Sequence, residues 1–163
     1  SSPPSASLPQ IAAVGHTRVL SKREQVLSAL FDQLRTMALA TVKRNEALPQ
    51  AVPAGGLVIL RDGDPGEPHM TLNPVHLFFS HRAEVEAFVT PLATGGGGEA
   101  LLDTLLGEIG AALAADRSLG GLVENLTWSA PEISVLAIEG AAPILCARII
   151  VTLEYLAADP LAV

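Results

Sequence analysis

The sequence has 163 residues, of which 49% are hydrophobic and 4% aromatic, so it has the apolar material for one folded domain and excludes wholesale disorder. Its formal net charge of -7 disfavours tight nucleic-acid binding, and its few aromatic rings disfavour a base-stacking platform. The single cysteine, Cys146, excludes an internal disulfide and a paired-cysteine zinc or redox site.

The first segment is rich in Ser, Pro and Ala and shows no periodic apolar pattern, which predicts a flexible arm over residues 1–20. It lacks the basic residues and apolar run of a secretory signal, and no run of about 18 apolar residues occurs in the chain. We therefore expect a soluble protein that is synthesised in the cytoplasm. A single domain is expected over residues 21–160.

The first predicted helix covers residues 21–37. Ser21 and Glu24 have the spacing of a capping box, and apolar residues then recur at helical intervals from Val26 to Leu34. A stripe of this kind indicates a surface helix that packs against the rest of the fold along one side.

Three strands are predicted between this helix and the glycine run at residues 95–98. Short strands are expected over residues 39–44 and 56–61, and the second ends at a turn over residues 62–66. Along residues 75–89 apolar and polar side chains alternate, which predicts a long strand with one solvated face.

The glycine run is interpreted as a flexible connector, and the apolar stripe after it predicts a second helix that ends near residue 115. Strands are expected over residues 126–128, 132–138 and 144–156, of which the last two form a hairpin. The polar faces of the strands over residues 75–89 and 144–156 are expected side by side. This order of elements favours an α+β fold, a mainly antiparallel sheet with both helices packed on one face.

The ionisable residues show no pattern of a metal or phosphate site. His76 and His81 are five residues apart on a predicted strand, so they point to opposite faces, and all four histidines, which include His16 and His69, are interpreted as solvated or packed. The run Asp62-Gly63-Asp64 lacks the later ligands of a calcium loop and is interpreted as a hairpin turn. The glycine run lacks the Lys and the Ser or Thr of a phosphate loop.

Three further features favour structural roles. Cys146 lies in an apolar strand, which predicts a buried and unreactive thiol. Glu84 and Glu86 lie beside Arg82 on one strand face, which favours a solvated or interfacial charge row over an acid–base pair. Trp128 is interpreted as a core or interface anchor. We therefore expect no enzymatic activity, no cofactor and no metal.

Five segments resemble the tail terminator proteins of long-tailed phages and gene transfer agents. They are VKRN (42–45), LVILRDGD (57–64), HRAEVEA (81–87), AADRSLGGL (114–122) and ARIIVTLEY (147–155). The resemblance covers about residues 21–160. It consists of patterns of turns and strands, and none of the five segments is a catalytic signature.

The resemblance implies a structural virion protein. Members of this family form a ring, generally a hexamer, that caps the head-proximal end of the tail tube, stops tube polymerisation and offers the surface on which the filled head docks. The implied partners are further copies of the chain, the tail tube protein and a head-completion or neck protein. Genome DNA passes through the ring without specific binding, and a net charge of -7 suits a repulsive lumen.

A ring needs two different contact surfaces on each subunit. We predict that one of them is formed by the polar faces of the two long strands. The residues of this candidate subunit interface are Phe78, Arg82, Glu84, Glu86, Arg148, Thr152 and Glu154. Loops are expected to contact the tube or the neck, because such segments often order on docking. The candidate residues there are Asp62, Asp64, His69, Gly96 and Gly97.

Two alternatives stay open. A head-completion or connector protein in the neck of the same particle shares the general layout of the fold. A small enzyme with an unrecognised site is the alternative from a different class. Mass in solution separates the ring from the enzyme, since six copies of the 16.9 kDa chain weigh about 101 kDa.

Overall fold

The computed structural model describes residues 19–91 and 97–163. In these residues two helices and seven strands of one sheet form an α+β fold, which confirms the predicted class. The predicted arm lies outside the described residues except for Val19 and Leu20. In chain order the elements are α1 (Lys22–Leu34), β1 (Thr41–Arg44), β2 (Leu57–Asp64), β3 (His69–Thr71), β4 (His76–Val89), α2 (Glu99–Ala115), β5 (Asn125–Trp128), β6 (Glu132–Leu136) and β7 (Ile144–Ala157).

The centre of the sheet is the antiparallel pair of β4 and β7, both 14 residues long. Their register runs from Leu77 opposite Ala157 to Val89 opposite Leu145. The strand order is β1-β2-β4-β7-β5, with β3 on the same side of β4 as β2, and β6 on the same side of β7 as β5. The predicted hairpin of the last two strands is confirmed, because β6 pairs with β7 in antiparallel fashion.

Both helices pack on one face of the sheet, as predicted. The apolar stripes of α1 and α2, which include Leu27, Leu30 and Ile109, are buried in a single cluster with alternate residues of the strands. From β4 and β7 this cluster takes the odd-numbered side chains, such as Val85 and Leu153. The even-numbered side chains of the two long strands therefore lie on the opposite face.

The ends of α1 and β2 differ from the sequence prediction. Helix α1 ends at Leu34 because the amides of Thr36 and Met37 donate to carbonyls three residues back, and the Thr36 hydroxyl donates to the Gln33 carbonyl at 2.7 Å. Strand β2 continues to Asp64 through a bulge, where a turn was expected. The bulge depends on Gly63, which has a φ of 69° and on which a Cβ would collide with the Arg82 carbonyl.

Two strand pairings were not predicted. Strand β3 forms a short hairpin with the start of β4, in a segment with no alternating pattern. Strand β1 pairs parallel to β2, because the connection over residues 45–56 crosses back to the start of the next strand. The sheet is therefore mainly, and not wholly, antiparallel.

Hydrogen bonds and ion pairs of polar side chains connect the helices to neighbouring elements. The Arg44 guanidinium donates to both carboxylate oxygens of Glu24, at 2.7 and 2.8 Å, and to Asp62 at 2.8 Å, which joins α1 to β1 and β2. The bond from Arg44 lowers the pKa of Glu24. Gln33 of α1 donates to the Ala112 carbonyl at 2.7 Å and so caps the end of α2.

Candidate functional site: the open face of the sheet

The sheet surface opposite the helices divides into two parts. At one end, Ile59, Phe88 and Cys146 belong to a second small core that Val52 and Leu136 help to cover. Cys146 is buried there, as predicted, and burial raises the pKa of its thiol. This apolar end is closed, so the other end is the part of the face available to a partner.

We call that other end the open face. It is formed by even-numbered residues of β4 and β7, and it contains all seven residues of the predicted subunit interface. In the register, Arg82 lies opposite Thr152 and Glu86 lies opposite Arg148. The prediction that the polar faces of the two long strands lie side by side is thus confirmed.

Two ion pairs lie within this set or at its border. Arg148 approaches Glu84 with a distance of 3.2 Å between Nη2 and Oε1. Arg61 of β2 forms an ion pair with Glu86, and the Glu86 side chain is only 13% exposed. Glu86 is therefore largely satisfied within the chain, whereas Arg148 and Glu84 lie on an accessible part of the strands.

Arg82 differs from the other arginines of the sheet. Its side chain is exposed, and no carboxylate of the described residues lies within 4.0 Å of it. Its neighbours Thr152 and Glu154 and the ring of Phe78 are half-buried. The open face thus combines an arginine without a carboxylate partner among the described residues, a half-buried acid and partly exposed apolar surface, which suits contact with a protein.

The described members of the predicted tube or neck set lie on different elements. Asp62 belongs to β2 and binds Arg44, and Asp64 ends that strand and accepts the Gly66 amide at 2.9 Å. His69 begins β3, and Gly97 lies just before α2. Gly96 falls outside the described residues. Asp62 therefore has a structural role that the turn interpretation missed.

A buried pair of ionisable residues lies on the helix-covered face. His81 is fully buried, with its Nε2 atom 2.5 Å from the Asp62 carbonyl and its Nδ1 atom 2.9 Å from the Tyr155 hydroxyl. Because a carbonyl can only accept, Nε2 carries the proton and Nδ1 accepts from Tyr155. Burial lowers the pKa of His81 and raises that of Tyr155 to about 12. His81 has an odd number on β4 and therefore lies on the apolar face. This position in the alternating pattern is the sequence feature that indicates its burial.

Three further observations concern Trp128, metal-binding groups and the character of the helices. Trp128 packs against the core, and the Arg117 guanidinium lies 4.7 Å from the centre of its ring. Within residues 19–91 and 97–163, no group of three or more His, Cys, Asp or Glu side chains is arranged to hold a metal ion. Neither described helix has the length and apolar character that crossing a bilayer requires.

Comparison with known proteins adds no assignment. No family model matches the chain. No curated protein matches its sequence significantly. The resemblance to tail terminator proteins, and every function that follows from it, therefore stays a prediction based on the five segments.

Proposed function

We propose that this chain is a structural subunit of a phage or gene-transfer-agent tail. In this proposal several copies, six in the expected ring, assemble at the head-proximal end of the tail tube. The ring terminates tube polymerisation and provides the surface that joins the tail to the filled head. Its protein partners are the tail tube protein and a neck protein, and its place is in the virion.

The observation that carries the proposal is the one-sided packing of the helices. Two helices cover one face of a seven-stranded sheet and leave an open face with an exposed Arg82 across the two longest strands. A surface of this kind is available for contact between subunits, and the resemblance of the five segments supports the same role. No step of the proposal requires a catalytic residue, and Cys146 and His81 are both buried.

The negative net charge of the chain is compatible with DNA passing through the proposed ring. A net charge of -7 on each copy disfavours adhesion of the phosphate backbone to an assembled ring. The proposal therefore includes a lumen that DNA crosses without specific binding. A lumen lined by Arg and Lys side chains in an assembled particle would contradict this part of it.

The test is electron microscopy of particles from a host in which this gene is deleted in frame, with tail length and head attachment scored separately. We expect tails of uncontrolled length that lie apart from filled heads. Tails of normal length with unjoined heads would overturn length termination and favour the alternative, a neck protein. Intact particles would overturn both and favour an enzyme.

A matched pair of variants connects the test to the open face. Arg82→Glu reverses the exposed charge on β4, and Arg35→Glu makes the same change at the C-cap residue of α1, whose side chain is 61% exposed. When each variant replaces the deleted gene, we expect Arg82→Glu to reproduce the deletion defect and Arg35→Glu to restore normal tails. Equal rescue by both variants would remove the open face from the proposed interface.

A further inference from the structure

The edges of the sheet are not equally protected against pairing with another chain. Strand β1 carries an exposed Lys43 and the ion cluster of Arg44, which are typical protections of an edge. Strand β5 has the exposed polar residues Asn125 and Thr127. In the described part of the chain, the outer edges of β3 and β6 pair with no other strand, and apolar residues are exposed on both, although β6 also exposes Ser134 at its middle. These two edges are thus open for strand addition.

The first open edge is the hairpin corner, which we define as residues 68–75. It contains β3 and the turn into β4, and it projects three large apolar side chains into solvent. Met70, Leu72 and Val75 are 67%, 75% and 61% exposed. His69 is the only ionisable residue in this corner. An apolar tip of this size on a strand edge is a typical protein-binding element.

The second open edge is the β6 corner, which we define as residues 131–136. Its strand exposes Ile133 and Val135, at 54% and 60%, on the face of the sheet that carries the helices. A cavity of about 320 Å³ adjoins it, between α2 and the junction of β5 and β6. Its lining includes Leu106, Trp128, Pro131 and Ile149. This corner therefore offers both a free strand edge and an apolar recess for a side chain.

The two corners lie at diagonally opposite ends of the sheet. Strand β3 pairs with the first residues of β4, Leu77 and Phe78 among them, on the side away from β7. Strand β6 pairs with the first residues of β7, which lie opposite the other end of β4. A contact between the hairpin corner of one copy and the β6 corner of the next therefore leaves a free corner of each kind, and it repeats from copy to copy.

The charge distribution favours these corners as the place where two copies can meet. Each copy has a net charge of -7, so two copies repel each other over most approaches. The hairpin corner contains no Asp or Glu, and Glu132 is the only charged residue of the β6 corner. Two copies can therefore meet at these corners without bringing acidic groups together.

We propose that the hairpin corner of one copy adds to the free edge of β6 in the next copy and places Leu72 or Met70 in the adjoining cavity. The contact is head-to-tail and buries the exposed apolar side chains of both corners. The choice of a second copy as occupant rests on the proposed ring. Within that ring, the contact supplies a subunit interface that the open face does not include.

The test uses purified full-length protein that carries Cys146→Ala and one new cysteine. Leu72→Cys labels the hairpin corner and Val135→Cys labels the β6 corner. A short bis-maleimide linker is added to each variant alone and to their mixture, at the highest soluble concentration. We expect a covalent dimer in the mixture and not in either variant alone, and a ladder of larger products from the chain with both cysteines.

Each other outcome contradicts the proposal. Dimers from one variant alone would show that copies meet through the same corner, and no cross-link in the mixture would show that the corners do not meet. Leu72→Lys should abolish the mixed cross-link, whereas Leu48→Lys should not, since Leu48 is a comparably exposed leucine outside both corners. Circular dichroism shows whether each variant is folded. Tail length in the deletion strain is measured separately, so this contact and the proposed function can fail independently.

Discussion

The side chains of β4 and β7 are buried and paired on one face of the sheet, whereas on the other face several are exposed. On the helix-covered face, every odd-numbered residue of β7 from Ala147 to Ala157 is buried, and the polar His81 opposite them on β4 has partners at both ring nitrogens. On the open face, Arg82 is exposed, and no carboxylate of the described residues pairs with it. The first face is a closed set of interactions that sets stability. The open face has no such closed set, so we expect its exposed residues to contribute less to stability.

The largest effect should come from truncating one of two nearby residues on opposite faces of β7. Leu153 is fully buried against the helices, and Ile150 is half-buried on the open face. We expect Leu153→Ala to lower the free energy of unfolding by about 2–5 kcal/mol, because it leaves a cavity in the core. Ile150→Ala should cost about 1 kcal/mol or less. Urea unfolding measures both, and equal costs would contradict the division between the faces.

The buried histidine should make stability depend on pH. Burial places the pKa of His81 below its ordinary value of 6.5, so the unfolded chain binds the proton more readily than the folded chain. The contribution of this residue is therefore fully present above pH 6.5 and is lost as the pH falls below that value towards the lowered pKa. We expect urea midpoints to decrease on acidification through this range.

Two variants isolate this effect. His81→Leu leaves the Asp62 carbonyl and the Tyr155 hydroxyl without their partner, so it should cost about 1–3 kcal/mol and remove the histidine's share of the pH dependence. Tyr155→Phe removes one hydrogen bond, costs about 1 kcal/mol and retains the pH dependence. An unchanged pH profile in His81→Leu would show that other groups cause it.

The smallest effect on stability should come from the open face. Arg82→Glu breaks no ion pair within the described residues, so its free energy of unfolding should stay within about 0.5 kcal/mol of the wild type. The same change should weaken assembly and alter its dependence on salt, as measured by sedimentation. A large loss of stability would show that Arg82 belongs to the fold and not to an interface.

Regular periodicity explains which parts of the fold were predictable. Alternation along β4 and β7 gave their bounds, their pairing and the common face of the seven candidate interface residues. The helical stripe gave α2 and most of α1 in the same way. Each pattern reflects which face of one helix or strand is buried, and it can be seen in residues that are close together in the sequence.

Features that depend on contacts between distant segments were not predictable. The bulge of β2 requires Gly63 to pass the Arg82 carbonyl, and the role of Asp62 requires Arg44 to reach it from β1. Strand β3 is only three residues long, which is too short to show an alternating pattern. The exposure of Met70 also depends on where the hairpin projects, so the sequence alone could not identify the hairpin corner.

The long central ladder has a consequence for how the chain folds. Because β4 pairs with β7, residue 77 meets residue 157 and residue 89 meets residue 145. Contacts between such distant residues slow folding, since a large loop must close before they form. During synthesis one edge of β4 stays unpaired until the ribosome has released β7. A chaperone that shields this edge would therefore raise the yield of folded protein by preventing premature pairing between nascent chains.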